Sequence, residues 1–587
     1  MTRHISVCLA LAAGLLLIGN TACSGGGSSS NSPGPTPPPA PPPQAASIAV
    51  SPTSVTVPAG AQQQFTAKAT PSKSSLIWTV NGVPGGNAIV GTVSNKGLYT
   101  APSSPPAAGQ VEVKVTLKAD QTKSAAARVS TVFSNASLKG SYVFSAVVVD
   151  AAGFTFAGGV LKSDGMGGIV DGIEDRNSSV DGPTTNLAVS GTYSVGSDGR
   201  GVATISNGSG SATFSFVLAS SKGGQMIQFD SSSVSSGAIL QQDPTAISDV
   251  AGTYVFGFQG QAITPTTRQS MSSVGQLVFA GSGAASGTED LNEGSTQATL
   301  PFSATYVLGA NGRGQLNLTN SWGSKAYAFY IVDRSKIELV SIDPNPGLIE
   351  AGVAVAQQNI PYSNSSLGST AVLLSGVDPC NESPFVSAAR FDTDGAGTIL
   401  NGVLDQTYQG VFTDGASLSG VYNVDANGRG TASFTSSAGT VNFVFWLASV
   451  GNAQFMALDT GVVAGGVALS QKGLPFSNTS LQGNFALALT GTSGSVSSAA
   501  LARVNFSGTG TFGGKEDVNV GSAMNAAVPL TGTYSVGSDG HGTASMTGLG
   551  TVPLRLHQVN QSEAIFISAD PTQPVIGLGE KQCSDCH

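Results

Sequence analysis

The sequence predicts an all-β protein, one small sandwich followed by four copies of a second β module, on three observations. The first is a repeat. Gly191-Thr-Tyr193-Ser-Val195 followed by Asp198-Gly-Arg200-Gly201 returns as Tyr306 with Asn311-Gly-Arg313-Gly314, as Tyr422 with Asn427-Gly-Arg429-Gly430, and as Tyr534 with Asp539-Gly-His541-Gly542, at a spacing of about 112–116 residues. So long and even a period means tandem domains rather than a short-repeat solenoid. The second is the period-two alternation of apolar residues, the mark of half-buried strands. The third is composition: 10% charged residues, against roughly 25% in ordinary soluble proteins, together with 77 glycines in 587 residues. That profile favours turn-rich β structure over long surface helices.

The same composition bounds function. The net charge is −9 and the 25 Lys and Arg are scattered, so no nucleic-acid partner is expected, because binding phosphate backbones needs concentrated cations. No nucleophile elbow, phosphate loop or His-rich motif occurs, and the expectation is a non-catalytic protein.

Residues 1–22 carry Arg3 and His4, an apolar run from Val7 to Ile18, and the small residues Thr21-Ala22 before Cys23. This reads as a secretion signal, too short for a comfortable membrane span. With Cys23 directly after the small residues and Ser24-Gly-Gly-Gly behind it, the segment resembles a bacterial lipoprotein signal, though Asn20 departs from the Leu usual three places before the Cys. The resemblance implies export, lipidation of Cys23, and anchoring on a membrane through acyl chains, at the outer membrane or cell surface. Residues 23–45 are Gly/Ser-rich and then Pro-rich, a flexible start leading into a stiff spacer.

Residues 46–133 alternate at Ile48 and Val50, at Trp78 and Val80, and at Val111, Val113, Val115 and Leu117. Short strands of a two-sheet sandwich are predicted. The pieces Ser51-Pro-Thr-Ser-Val-Thr-Val-Pro, Ile77-Trp78-Thr-Val-Asn81-Gly82 and Gly97-Leu98-Tyr99-Thr-Ala-Pro102 resemble the bacterial immunoglobulin-like domains (group 2-like) of surface proteins. That resemblance implies a spacer or adhesive module with Trp78 in its core.

The four repeats span 134–247, 248–363, 364–478 and 479–582, and resemble no family we can name. In the first, apolar segments separated by Gly, Asp and Asn turns give about eight strands joined by hairpins. Asp-Gly and Asn-Gly supply the positive φ that hairpin turns require. An eight-stranded meander barrel is favoured, since closure removes sheet edges; a sandwich is the alternative. Short linkers between independently folding modules are expected.

Several residues are candidates for ligand contact. Glu174-Asp175-Arg-Asn177, Glu289-Asp290-Leu-Asn292 and Glu516-Asp517-Val-Asn519 recur, with the third copy broken to Leu404-Asp405-Gln-Thr407. Neighbours in a strand face opposite ways, so Glu174 and Asp175 do not converge on one ion, whereas Asp and Asn two apart share a face. Asp175, Asn177, Asp290, Asn292, Asp517 and Asn519 are therefore either structural, capping and solvating strand ends, or sugar or metal contacts. Arg200, Arg313 and Arg429 either lie over a neighbouring Tyr or pair with a carboxylate of their own domains, or form a row that grips anionic glycans. Asp392-Thr-Asp394-Gly echoes a calcium loop but lacks the downstream Glu, so a hairpin turn is expected. No metal site is assigned. Trp446, beside Phe443 and Phe445, is the aromatic expected to face out.

Cys583-Ser-Asp-Cys586-His587 lies beyond the last repeat. Cys-x-x-Cys-His is the attachment pattern of c-type haem, in which both thiols bond the cofactor and the His ligates iron. A disulfide or redox-active tail is the simpler reading, and no cofactor is expected otherwise. The functional expectation is a lipid-anchored surface protein for adhesion, matrix contact or envelope architecture. Its partners would be the membrane and a glycan or surface protein; the alternatives are a carbohydrate-binding lipoprotein or a haem carrier.

Overall fold

The computed structural model describes residues 45–583, except 150–152, 264–267, 344–346, 359–360, 379–382 and 522. Residues 1–22, Cys23, Cys380, Cys586 and His587, on which several of the expectations rest, lie outside the described residues. The described residues from Ala46 onward form one compact unit, and no described helix is long and apolar enough to cross a membrane.

The first domain is the expected sandwich. Ser54–Pro58, Ser124–Val132, Gln110–Leu117, Leu76–Val80 and Val83–Pro84 form one sheet, and Gln62–Gln64, Leu98–Thr100, Gly91–Val93 and Gly86–Asn87 another; Ser47–Ser51 pairs with Thr66–Thr70. Alternation places Val111, Val113 and Val115 on the inner face, against Phe65, Trp78, Tyr99 and Val129. Trp78 is buried, as expected.

Each repeat is a closed antiparallel barrel of eight strands. In the second barrel these are Gly252–Ile263, Arg268–Phe279, Ala284–Asn292, Gln297–Leu308, Arg313–Asn320, Gly323–Asp333, Lys336–Ser341 and Leu348–Ala356. The first barrel follows the same order from Lys139 to Gln241, its fourth strand interrupted at Val189, and closes by pairing Phe154–Asp164 with Gly168–Ser178. The third barrel runs from Thr370 to Ser470 and the fourth from Gln482 to Lys581. Their interiors are packed apolar cores, for example Phe256, Phe258, Phe302, Tyr327 and Phe329 in the second.

The repeated turn joins the fourth and fifth strands. In the first barrel Gly196 N–H donates to Arg200 O at 2.8 Å and Gly199 N–H to Gly196 O at 3.0 Å. Gly199, Gly312, Gly428 and Gly540 hold φ between 78° and 91° there, a conformation that glycine adopts without strain. The repeated tyrosine anchors the segment leading into the barrel: Tyr193, Tyr422 and Tyr534 donate to backbone carbonyls of the short 3-10 turns that begin at Asn135, Asn364 and Asn478.

The barrels do not hang as separate beads. The first three strands of each pack against the sixth to eighth strands of the next, and those of the fourth pack against the first, so four barrels close a ring. Each contact has its own small core: Val143 and Val160 with Tyr330 and Val332, Val255 and Val274 with Val444 and Trp446, Ala371 and Val386 with Ile565 and Ile567, and Ala486 and Leu501 with Val217 and Ile227. This explains why sixth strands such as Phe443-Val-Phe-Trp446-Leu are apolar without alternation. One side faces the barrel interior and the other faces a neighbour.

Candidate functional site

The recurrent acidic and basic residues meet at the four joints of the ring. Each third strand carries an Asp on its outer face, and the next barrel offers its turn cation at the start of the fifth strand. Asp175 is held by Arg313 at 2.6 and 2.8 Å, and Asp290 by Arg429 at 2.9 and 2.7 Å, both bidentate. Asp517 takes Arg200 of the first barrel, which closes the ring. A second donor on the sixth strand completes each site: Tyr330 Oη for Asp175, Trp446 Nε1 at 2.8 Å for Asp290, and Ser215 Oγ for Asp517. The aspartates are at most 2–4% exposed, so the paired charges sit where an unpaired carboxylate would be very costly. Burial opposes the guanidinium of Arg313, yet the hydrogen bond and charge of Asp175 hold its pKa above the ordinary value.

These partners lie in different barrels, not within one as the simpler reading of the arginines expected. Trp446 does leave its own barrel's core, but it is buried against the second barrel rather than exposed.

Asparagine two residues on serves the same joint. Asn177 donates to Ser341 Oγ and Leu348 O, Asn292 to Ala457 O and Val462 O, and Asn519 to Gln228 O and Ser233 O, each fastening the seventh and eighth strands of the next barrel. Thr407 stands at this position in the third barrel, and its hydroxyl has no hydrogen-bond partner.

A further set of glutamines joins the end of each repeat to the next barrel. Gln242 donates to Asn311 O and Ile331 O, Gln357 to Asn427 O and Leu447 O, Gln471 to Asp539 O and Gln558 O, and Gln582 to Asp198 O and Leu218 O. Each Gln thus enters the turn of the next barrel. A Cβ on Gly199 would stand 2.6 Å from Gln582 Nε2, and one on Gly312 2.7 Å from Gln242 Nε2, so the turn glycine provides room for the amide as well as the positive φ.

The third joint differs. Asp405 receives His541 Nε2 at 2.9 Å and His557 Nε2 at 2.8 Å, while Gly415 N–H donates to its other oxygen at 2.7 Å. Burial works against the charge on Asp405, but the two imidazole hydrogen bonds hold its carboxyl well below the usual range. Burial also opposes the imidazolium of His541, and Asp405 outweighs it, leaving that pKa raised; fully buried His557 is lowered.

The glutamates point the opposite way, into their own barrels. Glu174 accepts from Asn207 at 2.7 Å, and Glu289 accepts from Lys325 at 2.8 Å. Glu174, Arg176, Asn207 and Phe214 line a cavity of about 350 Å³ in the first barrel. Another of about 470 Å³ lies where the four barrels meet, lined by Gln225, Gln259, Phe258, Glu338, Gln454 and Thr490 among others. Gln259, Gly465 and Thr490 also line an adjoining cavity of about 380 Å³, which extends the space between the barrels. Asp394 caps its own hairpin by accepting from Ala396, Gly397 and Thr398 N–H, so the calcium-like string is a turn. Cys583 is buried and disulfide-bonded.

Comparison with curated proteins found no match. Among solved structures, CghA bound to Sch210972 is 8% identical, with 57% of this chain and 89% of that chain covered and a TM-score of 0.15. Transferrin Binding Protein B of Haemophilus parasuis Hp5, a double mutant, is 12% identical over 61% and 82%, with a TM-score of 0.15. The isotype 1 Transferrin binding protein B of serogroup B Neisseria meningitidis is 10% identical over 61% and 84%, with a TM-score of 0.16. Scores this low carry no argument about this chain. Residues 44–129, by contrast, match the family model of the bacterial Ig-like domain (group 2), the family that the first domain resembles in its sequence pieces and in its sandwich.

Proposed function

We propose that the chain is a lipid-anchored bacterial surface protein that holds a closed ring of four barrels on an Ig-like domain and a stiff stalk, and that it acts by contact rather than catalysis. The observation that carries this reading is the commitment of the repeated Asp, Asn and Arg residues to the joints. Groups that recur from repeat to repeat, and would suit a repeated active site, are consumed in holding one body together. The match to a bacterial Ig-like domain fits a surface-associated protein. Partners would be the membrane, through lipid on Cys23, and a surface protein or glycan. The test is a Cys23→Ala variant with a metabolically incorporated fatty-acid probe. Loss of label and release from the membrane fraction support the anchor; unchanged label overturns it. Protease shaving of intact cells reports which side of the envelope the ring occupies.

A carbohydrate-binding reading is favoured by one feature, the cavity between the barrels. Amide side chains at Gln225, Gln259 and Gln454 with Phe258 suit a neutral sugar, which offers hydroxyls to amides and C–H faces to rings. A glycan array with the wild type and Gln454→Ala tests it. Absence of any binding by the wild type ends this reading and leaves the first untouched.

A further inference from the structure

We propose that the joint between the third and fourth barrels is a divalent transition-metal site of the zinc class, formed by Asp405, His541 and His557. The ring supplies its own controls. Three joints bring a guanidinium to a buried Asp, and the fourth brings two imidazoles to the same place. An imidazole carries no permanent charge, so Asp405 lacks the fixed cation of its three counterparts. Arg555, on the same barrel as the histidines, is committed to Asp414 through Nε and Nη2.

The donor set is that of zinc. Two imidazole nitrogens and one carboxylate oxygen make a three-ligand site whose fourth position is left to water. One ligand atom from each residue lies within 4.8 Å of the others. His541 and His557 are direct partners on adjacent strands, so the sheet fixes them as a pair on one face, and Asp405 approaches from the other barrel. Ligand distances of about 2.0–2.2 Å around a tetrahedral ion require the present contacts of 2.9 and 2.8 Å to open by roughly half an ångström. Gly415 N–H holds the second oxygen of Asp405, the kind of outer contact that orients a ligating carboxylate. The Nδ1 of His557 has no partner, so only Asp405 keeps a proton on its Nε2, and that proton can reside on Nδ1 when Nε2 ligates. The His541 side chain is 22% exposed, which gives the ion a path from solvent.

The experiment uses the full chain, stripped with EDTA and titrated with Zn²⁺ by calorimetry and with Co²⁺ by visible absorption. The expected result is one ion per chain, a tetrahedral Co²⁺ band without thiolate charge transfer, and a Tm that rises with Zn²⁺ and returns with EDTA. His541→Arg installs the residue of the other three joints; it is expected to keep the native circular dichroism and to lose both the band and the Zn²⁺-dependent shift in Tm. His557→Gln is expected to lose the band as well. The proposal is overturned by absence of a Co²⁺ band in the wild type or by equal binding in His541→Arg. It is also overturned by a thiolate charge-transfer band, which would place the ion on cysteines.

Discussion

Gln582, just beyond the last strand of the fourth barrel, gives its side-chain amide to the carbonyl of Asp198 in the turn of the first barrel, at 3.0 Å, and to that of Leu218 at 2.8 Å. The same two bonds join each earlier barrel to its successor, so Gln582, with Asp517 and Asn519, converts a row of four into a ring. Replacing Gln582 with Ala is expected to cost about 1–3 kcal/mol, since one buried and one half-buried carbonyl lose their donor. The loss should appear first as faster hydrogen exchange in Arg200–Asn207 and Gly210–Ser220, with the core of the second barrel unchanged. Equal acceleration in all four barrels would contradict a local latch.

Gly199→Ala should be worse than an ordinary glycine substitution. It puts a side chain at φ +86° and into the space of Gln582 Nε2. In the Gln582→Ala background the clash with the amide disappears, while the backbone strain and the close approach to the Phe133 ring at 3.0 Å remain, so the two substitutions should be less than additive. Urea unfolding of the three variants checks this.

Asp290→Ala leaves Arg429 and the indole N–H of Trp446 without their partner in a buried joint. A loss of about 3–5 kcal/mol is expected. Asp290→Leu combined with Arg429→Met should cost less than Asp290→Ala alone, because no charge is left stranded. Trp446 fluorescence, shifting to longer wavelength as the joint opens, provides the readout.

Glu563 gives the ring a pH dependence. Burial, then the neighbouring Glu580, raises its pKa from 4.5 to about 7 despite the Asn560 hydrogen bond. The folded state therefore binds this proton more tightly than the unfolded state does. Its contribution is complete below about pH 4.5 and is lost as pH rises through about 7. Glu563→Gln should flatten that decline and raise the unfolding free energy at pH 8 by an amount on the order of 3 kcal/mol. A decline of the same slope in the variant would remove Glu563 as its source.

A single barrel cut out of the ring exposes two apolar patches. For the second these are Ala328, Tyr330 and Val332 on one side and Val255 and Val274 on the other. Each such side chain is worth about 1.5–3 kcal/mol when fully buried. Residues 248–357 alone should self-associate and unfold at lower temperature than the ring, by light scattering and calorimetry; a monomer with the ring's Tm would contradict the importance of the joints.

Much of each barrel was legible because its signals are local. Tyr193, the Asp198-Gly turn and the alternating fourth strands declare strand, turn and register within a few residues. The ring was not, because its contacts are remote: Arg313 and Asp175 are 138 positions apart, and Arg200 and Asp517 are 317 apart. The sequence does show a strand-borne Asp and a turn-borne Arg in each repeat, but pairing within a repeat and pairing between repeats leave the same pattern. The unbroken apolar run through Trp446 was the available clue, since a strand with one wet face alternates. In the sequence His541 simply replaces Arg in the last copy of the turn, and only its register with His557 opposite Asp405 gives it chemistry.

The turn at Ser197 and Asp198 also receives the segment that leads into the ring, through Phe133 N–H to Ser197 O, as Tyr362 and Phe476 do at the third and fourth barrels. Four positions separate Gln357 from Tyr362 in the sequence, and four separate Gln471 from Phe476. A bridge of equal length from Gln582 to Phe133 would fill the one gap in the circle. The chain could then begin between any two barrels and trace the same molecule, so the order of the repeats along the sequence is not a property of the folded object.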